Sequence, residues 1–144
     1  MVSLMVCGSR NIQDVKWIEH QIVESLKEVY SDQKRKFGFG DTDFVIIQGV
    51  AKGVDKIAKD WAERNNVLTW DFPADWEKYG KGAGFIRNEE MVQKCDYCLI
   101  LWDGNSHGTK NDIDLCEKYN KPYKLIYYPS KRFIKKNGWQ NGTE

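Results

Sequence analysis

No run in this 144-residue chain is long and apolar enough to span a bilayer. The opening residues 1–7 are apolar, but Gly8 and Arg10 follow at once, so neither a signal peptide nor a membrane span is expected. Charge of one sign is missing as well: Lys plus Arg is 22 and Asp plus Glu is 21, a net charge of +1. A protein that wraps duplex DNA is usually far more basic. Internal repeats and low-complexity tracts are absent. Cysteine is limited to four residues, and with no secretory signal they read as buried thiols in a reducing, cytoplasmic interior. Cys95 and Cys98 have a Cys-x-x-Cys spacing, but no second pair accompanies them, and zinc usually takes four ligands, so no metal is expected. What remains is an ordinary single-domain composition, 41% hydrophobic and 30% charged, enough for a core without staples. Aromatics are the exception. Six Trp and seven Tyr are many for this length, and loop aromatics are useful for stacking on bases.

Strand and helix patterns alternate along the chain. Residues 2–7 form a buried apolar run that stops at Gly8. Asp14 is a good helix start, and Val15, Ile18, Ile22, Leu26 and Val29 give one helical stripe ending near Tyr30. Residues 31–43, polar and glycine-containing, read as a mobile connection. Strands are expected at residues 44–47, 67–72, 97–102 and 123–127. Helices are expected around Val54–Ala62, over 84–94, and from Thr109 to about Tyr119, with a loop at 74–83. Alternation of this kind predicts an α/β, Rossmann-like, doubly wound parallel sheet of five strands in the order 3-2-1-4-5, with helices on both faces. The domain is expected to cover residues 1–128, leaving 129–144 as a loosely packed basic tail.

In such a sheet the ligand crevice lies beyond the carboxyl ends of the strands where the winding reverses. The loops after strands 1 and 4 flank it. Gly8-Ser9-Arg10 offers close backbone approach, a hydroxyl and a guanidinium for phosphate. It is neither a Walker A loop nor the dinucleotide fingerprint. Asp103-Gly104-Asn105-Ser106-His107-Gly108-Thr109 leads into a helix start, where N–H groups favour anions. Gly49, Lys52, Gly53 and Asp55 form a similar strand-to-helix turn; Asp55 also suits a helix-dipole partner. In the third helix, Arg87, Asn88 and Glu89 intrude on the arc of Phe85, Ile86, Met91, Val92 and Cys95, and polar residues on a packed face need partners. A helix end facing a polar cleft supplies them. Residues 75–82, with Trp76 and Tyr79, are expected to form a lid over the site.

These strings, together with Pro73–Gly80 and Ala83–Met91, resemble the YspA-like branch of the SLOG superfamily, which groups the Smf/DprA proteins with the Lonely Guy enzymes. The resemblance runs in order from about Val2 to Tyr127 and implies a Rossmann-like fold with a site for a nucleotide or nucleotide derivative. Lonely Guy enzymes cleave the bond between a base and ribose 5′-monophosphate. Arg87 stands where those enzymes carry an arginine, and Asp112 where they carry a glutamate after Gly-Thr; this chain has residues 103–107 in place of their Pro-Gly-Gly. Other members bind signalling nucleotides such as cyclic ADP-ribose variants, or single-stranded DNA. Homodimers are common in the resembling family, so a dimer is expected.

Three readings of function follow. The first is a module that binds a nucleotide-derived small molecule, of ADP-ribose type for example, through Gly8, Ser9, Arg10, Gly49, Lys52, Gly53, Asp55, Trp76, Tyr79, Arg87, Asn88, Asp103, Gly104, Ser106, Gly108 and Thr109. The second is a nucleoside 5′-monophosphate phosphoribohydrolase with Arg87 and Asp112 catalytic. The third is single-stranded DNA binding through the tail and the loop aromatics. No cofactor is expected in any of them.

Overall fold

The computed structural model describes residues 1–40 and 43–140. Six strands form one sheet in the order β3-β2-β1-β4-β5-β6. β1 (Val2–Gly8), β2 (Phe44–Gln48), β3 (Leu68–Asp71), β4 (Tyr97–Trp102) and β5 (Tyr123–Tyr127) are mutually parallel. The sixth strand, β6 (Phe133–Lys136), runs antiparallel to β5. The 3-2-1-4-5 order expected from the sequence thus holds, with one strand added at the edge.

β1 is apolar apart from Ser3, whose N–H and hydroxyl both donate to Asp96 Oδ2, because both its faces are covered. Val2, Leu4 and Val6 pack against α1 (Val15–Phe37) and α2 (Val54–Arg64), with Ile18, Ile22, Ala58 and Trp61 among their neighbours. Met5 and Cys7 point the other way, toward Met91 and Val92 of α4 (Ala83–Lys94) and Leu115 of α5 (His107–Lys118). The strand neighbours of β1 are β2 on one side and β4 on the other, so the winding reverses between β1 and β4. That reversal leaves a crevice at their carboxyl ends.

Three expectations are corrected. α1 does not stop near Tyr30. Its stripe continues through Asp32, a buried carboxylate that accepts from Tyr97 Oη at 2.5 Å and pairs with Arg35 and Lys36. A polar residue on the stripe hides the periodicity, and Gly38, with φ of 83°, ends the helix by donating to Lys34 O. Of the connection read at 31–43, residues 41 and 42 lie outside the described residues. The loop at 74–83 contains a one-turn helix, α3 (Trp76–Tyr79), capped by Asp75, and a 3-10 turn at Gly80–Gly82.

The tail is also ordered chain as far as residue 140. Lys135 of β6 and Lys124 of β5 converge on Glu28 of α1 at 3.2 and 3.0 Å. The Trp139 indole N–H donates to the same carboxylate at 3.0 Å and its ring meets Tyr97 edge-on. Trp139 is only 5% exposed. A basic, polar composition disguised a segment whose charges are satisfied by a carboxylate 107 or more residues upstream only in the folded chain. No helix among the described residues is long and apolar enough to cross a membrane.

Candidate functional site

A cavity of about 400 Å³ opens at the carboxyl ends of β1 and β4. Gly8, Ser9 and Arg10 line it from the β1 loop, Asp55 from α2, and Arg87 and Asn88 from α4. Asp103, Ser106, Gly108, Thr109 and Asp112 close the opposite side. A second cavity of about 340 Å³ shares Arg10, Ala51 and Arg87 with the first and adds Gly49, Lys52 and Trp76. Of the residues singled out in the sequence, Gly53, Tyr79 and Gly104 line neither. Trp76 and Tyr79 are 54% and 41% exposed, so α3 lies at the rim.

The β2–α2 turn is built around Asp55. Its Oδ2 accepts from the N–H groups of Gly49 and Ala51, both at 3.2 Å. Burial pushes the Asp55 carboxyl up to about 6, against those N–H groups and the charges of Arg87 and Arg10. Gln48, fully buried at the end of β2, accepts from Val50 N at 2.6 Å and donates to Asp71 Oδ1 at 2.5 Å. These bonds hold Val50 at φ of 60°, a left-handed conformation costly for a β-branched residue. Gly53 is needed for a different reason. Its φ is 79°, and a Cβ there would stand 2.6 Å from Arg10 O, so this glycine lets the β1 loop lie on the α2 start.

Arg87 is the bridge between the cavities. Its Nη1 donates to Gly49 O at 2.5 Å and its Nε to Asn88 Oδ1 at 2.8 Å. Asn88, buried, passes its own amide N–H to Asn111 Oδ1 at 3.1 Å. The guanidinium is therefore aimed by neutral acceptors rather than neutralised by a carboxylate. Its Nη2 has no hydrogen-bond partner among the described residues, which leaves its donors open to a ligand. The mixed face of α4 is thereby explained, although its polar and apolar members divide differently from the sequence reading. Asn88, Met91 and Val92 are buried, whereas Phe85 and Ile86 are exposed. Glu89 turns to Tyr119 and Lys118 of the neighbouring helix end.

The β4 loop is braced before any ligand arrives. Asp103 Oδ1 accepts from the N–H groups of Asn105 at 2.8 Å and Ser106 at 2.9 Å. Ser9 Oγ accepts from Asp103 N at 3.0 Å, tying the two crevice loops together. Burial raises the Asp103 carboxyl, but the N–H groups of Asn105 and Ser106, with Ser9 and Asn11, bring it below the usual carboxylate range. The N-cap of α5 is Ser106, not Thr109: Ser106 Oγ accepts from Thr109 N at 3.4 Å and from Thr109 Oγ1 at 3.2 Å. The N–H groups of Asn105, Ser106 and Thr109 are thus occupied internally, and those of His107 and Gly108 are the ones open at the helix start.

Asp112, one turn further along α5, is the anomaly. It is 4% exposed and lines the cavity, yet its Oδ1 has no hydrogen-bond partner among the described residues. Burial and the nearby Asp55 carboxylate push it up to about 8, with the Cys7 thiol and Arg87 opposing. At neutral pH it is a carboxylic acid able to donate and accept at once. Buried polar groups are nearly always paired, so an orphan aimed into a cavity points to a missing partner.

Sequence reasoning passed over Gln48, Asn11 and Asn111. Gln48 carried one readable signal, an amide ending a β-branched run. Asn11 directly follows Gly8-Ser9-Arg10 and also lines the cavity. Asn111 had none, since its role depends on α4 and α5 packing side by side. Of the other aromatics near the strand ends, Trp70 packs on Phe72 and Trp102 on Tyr127.

The chain is 36% identical over 101 residues to the Gene 61 protein of Mycobacterium phage D29, an alignment covering 66% of this chain and 78% of that protein. Its fold is similar to DNA processing protein A from Streptococcus pneumoniae, with a TM-score of 0.59 at 17% identity over 88% of this chain. This chain spans 50% of that protein's length. DNA processing protein A from Helicobacter pylori, described for its single-stranded DNA binding mode, gives 0.55 at 20% identity, covering 95% of this chain and 69% of that one. The model of the YspA, cpYpsA-related SLOG family matches residues 2–79, from β1 through the β2–α2 turn to α3, and the chain belongs to that family.

Proposed function

We propose that the protein binds a nucleotide or nucleotide-derived small molecule in the cavity between the β1 and β4 loops. The observation that carries this reading is Asp112: a buried, orphaned carboxyl oxygen in a cavity that also holds an under-used guanidinium. Hydroxyls and ring nitrogens of a nucleoside match the carboxyl, and a phosphate matches Arg87 and Arg10. A cavity of about 400 Å³ suits a mononucleotide-sized unit.

A second reading, phosphoribohydrolase activity, is favoured by one feature: Arg87 and Asp112 face the same cavity. Calorimetric titration with adenosine monophosphate and ADP-ribose tests both readings, with free base assayed alongside. Binding is expected, and Arg87→Ala should weaken it about tenfold or more by removing a charge-assisted contact. Base release by the wild type, lost in Asp112→Asn, supports the enzyme; binding without release supports the module. Absence of binding at millimolar nucleotide, or indifference to Arg87, refutes the site.

A further inference from the structure

Two guanidinium groups, of Arg10 and Arg87, and three carboxyl groups, of Asp55, Asp103 and Asp112, line the cavity between the β1 and β4 loops. What that cavity can hold depends on which of the three carry charge. Despite its burial, Asp103 is kept ionised by the N–H groups of Asn105 and Ser106. Asp112, pushed up to about 8 by burial and by Asp55, keeps its proton at pH 7. Asp55, raised by burial to about 6, has lost its own. Two positive and two negative charges then cancel, and the site has no net attraction for an anion. The groups that face Asp55 are Arg87 of α4, Arg10 of the β1 loop, Asp112 of α5 and the Cys7 thiol of β1. On its own turn, Lys52 lines the second cavity.

The carboxyl of Asp55 is divided. Its Oδ2 is held by the N–H groups of Gly49 and Ala51, both at 3.2 Å, while its Oδ1 accepts from nothing among the described residues. Arg87 lies against the same turn. A Cβ placed on Gly49 would stand 2.5 Å from Arg87 Nη1 and 3.0 Å from Asp55 Oδ2, so guanidinium and carboxyl crowd one point. An anion held by the open Nη2 of Arg87 meets Asp55 at close range, where like charges repel strongly in a desolvated site. Resting on the nucleotide-binding reading above, we propose that the cavity binds its phosphate-bearing ligand together with a proton taken from solvent, carried on Asp55 Oδ1 and donated to a phosphate oxygen. The turn survives the change, because Oδ2 becomes the carbonyl oxygen of the acid and still accepts from Gly49 and Ala51. The proton removes one negative charge, adds one donor and leaves the cavity net positive beside the phosphate. A neutral nucleoside gains none of this and enters without a proton. Phosphate recognition is thus coupled to acidity: affinity for the anion is greatest below about 6 and declines from there to the higher value at which Asp55 ionises beside the bound anion.

Titration calorimetry at pH 7 in two buffers of different ionisation enthalpy counts the protons, with adenosine monophosphate and adenosine as probes and EDTA present, on the wild type and Asp55→Asn. The wild type should take up about half to one proton per bound monophosphate and none with adenosine. Asn keeps an acceptor for the two N–H groups and offers a permanent donor in place of the acid, so the variant should bind the monophosphate with no uptake. From pH 6.5 to 8 the wild type should lose affinity about threefold to tenfold per unit relative to the variant, a ratio from which the titration of the phosphate itself cancels. A thermal melt verifies the fold of the variant, and the wild-type proton count stands without it. Release or no uptake of protons by the wild type, equal uptake with adenosine, or uptake that persists in Asp55→Asn each overturns the proposal while leaving nucleotide binding intact. Binding that appears only once magnesium replaces EDTA gives the neutralising role to a cation and overturns it too. If the monophosphate binds under neither condition, the nucleotide-binding reading itself fails and takes this inference with it.

Discussion

Replacing Asp112 by Asn should stabilise the ligand-free protein, and the gain should grow with pH. The carboxyl is raised from 3.8 in a free aspartate to about 8 in the fold. Between those values the native state holds a proton that the unfolded state has released. Folding therefore binds a proton, and stability falls as pH rises through this window. The cost at pH 7 is about 1.36 kcal/mol for each of roughly three pH units above 3.8, or about 4 kcal/mol; at pH 5 it is between about 1 and 2 kcal/mol. Asn keeps the shape and cannot ionise, so the difference between variant and wild type isolates this one group. Asp55, raised to about 6, adds dependence of the same sign, but it is present in both proteins and cancels to first order. Part of the gain is offset because the Asn amide also lacks a partner at the orphan position, which costs ~1–3 kcal/mol at every pH. A pH-dependent difference of a few kcal/mol survives that constant. Urea unfolding of both proteins at pH 5, 7 and 8.5 measures it. A difference that does not change with pH refutes the reasoning, whatever its sign. The same substitution should weaken ligand binding, since sites keep destabilising groups where a ligand resolves them.

Gly53→Ala should lose about 3 kcal/mol or more in urea unfolding, because a side chain at φ of 79° is strained and its Cβ meets the Arg10 carbonyl at 2.6 Å; a loss below about 1 kcal/mol would show that the two loops do not depend on this contact. Trp139→Ala should cost about 3–5 kcal/mol by opening the pocket against Tyr97 and removing one of the donors that meet Glu28. Wild-type stability in that variant would mean the terminal segment is dispensable.

Sequence patterns were readable wherever burial is continuous. β1, β2, β4 and β5 announce themselves as apolar runs, and their order follows from alternation with helices. Legibility fails at polar residues that become buried. Asp32 interrupts the stripe of α1 and so hides the end of that helix. Lys135 and Trp139 sit in a basic stretch whose partner, Glu28, is far away in sequence. At the site, the loops and most of their residues were visible as glycine and hydroxyl motifs at strand ends. Their division of labour was not. Ser9 and Asp103 were taken as ligand contacts, but their hydrogen bonds are spent on each other and on the β4 loop. Such pairing depends on two loops separated by more than ninety residues.

Separating braced groups from idle ones narrows what the site recognises. Asp55, Gln48, Asp103 and Ser9 hold turns in place by accepting from backbone N–H groups. Arg87 and Asn88 are half committed, aimed by Gly49 O and Asn111 but with donors to spare. Arg10, Lys52 and the Asp112 Oδ1 are uncommitted. The idle set therefore contains two cationic groups, beside the half-committed Arg87, at the cavity walls and one protonated carboxyl at the buried end. A ligand complementary to it carries negative charge at the mouth and a hydrogen-bonding, uncharged end in the depth. A free phosphate lacks the second feature and a nucleoside lacks the first; a nucleotide has both, oriented base-and-sugar inward. That orientation differs from one in which the anion rests on the α5 start, because Asp103 and Ser106 already satisfy three of the N–H groups there.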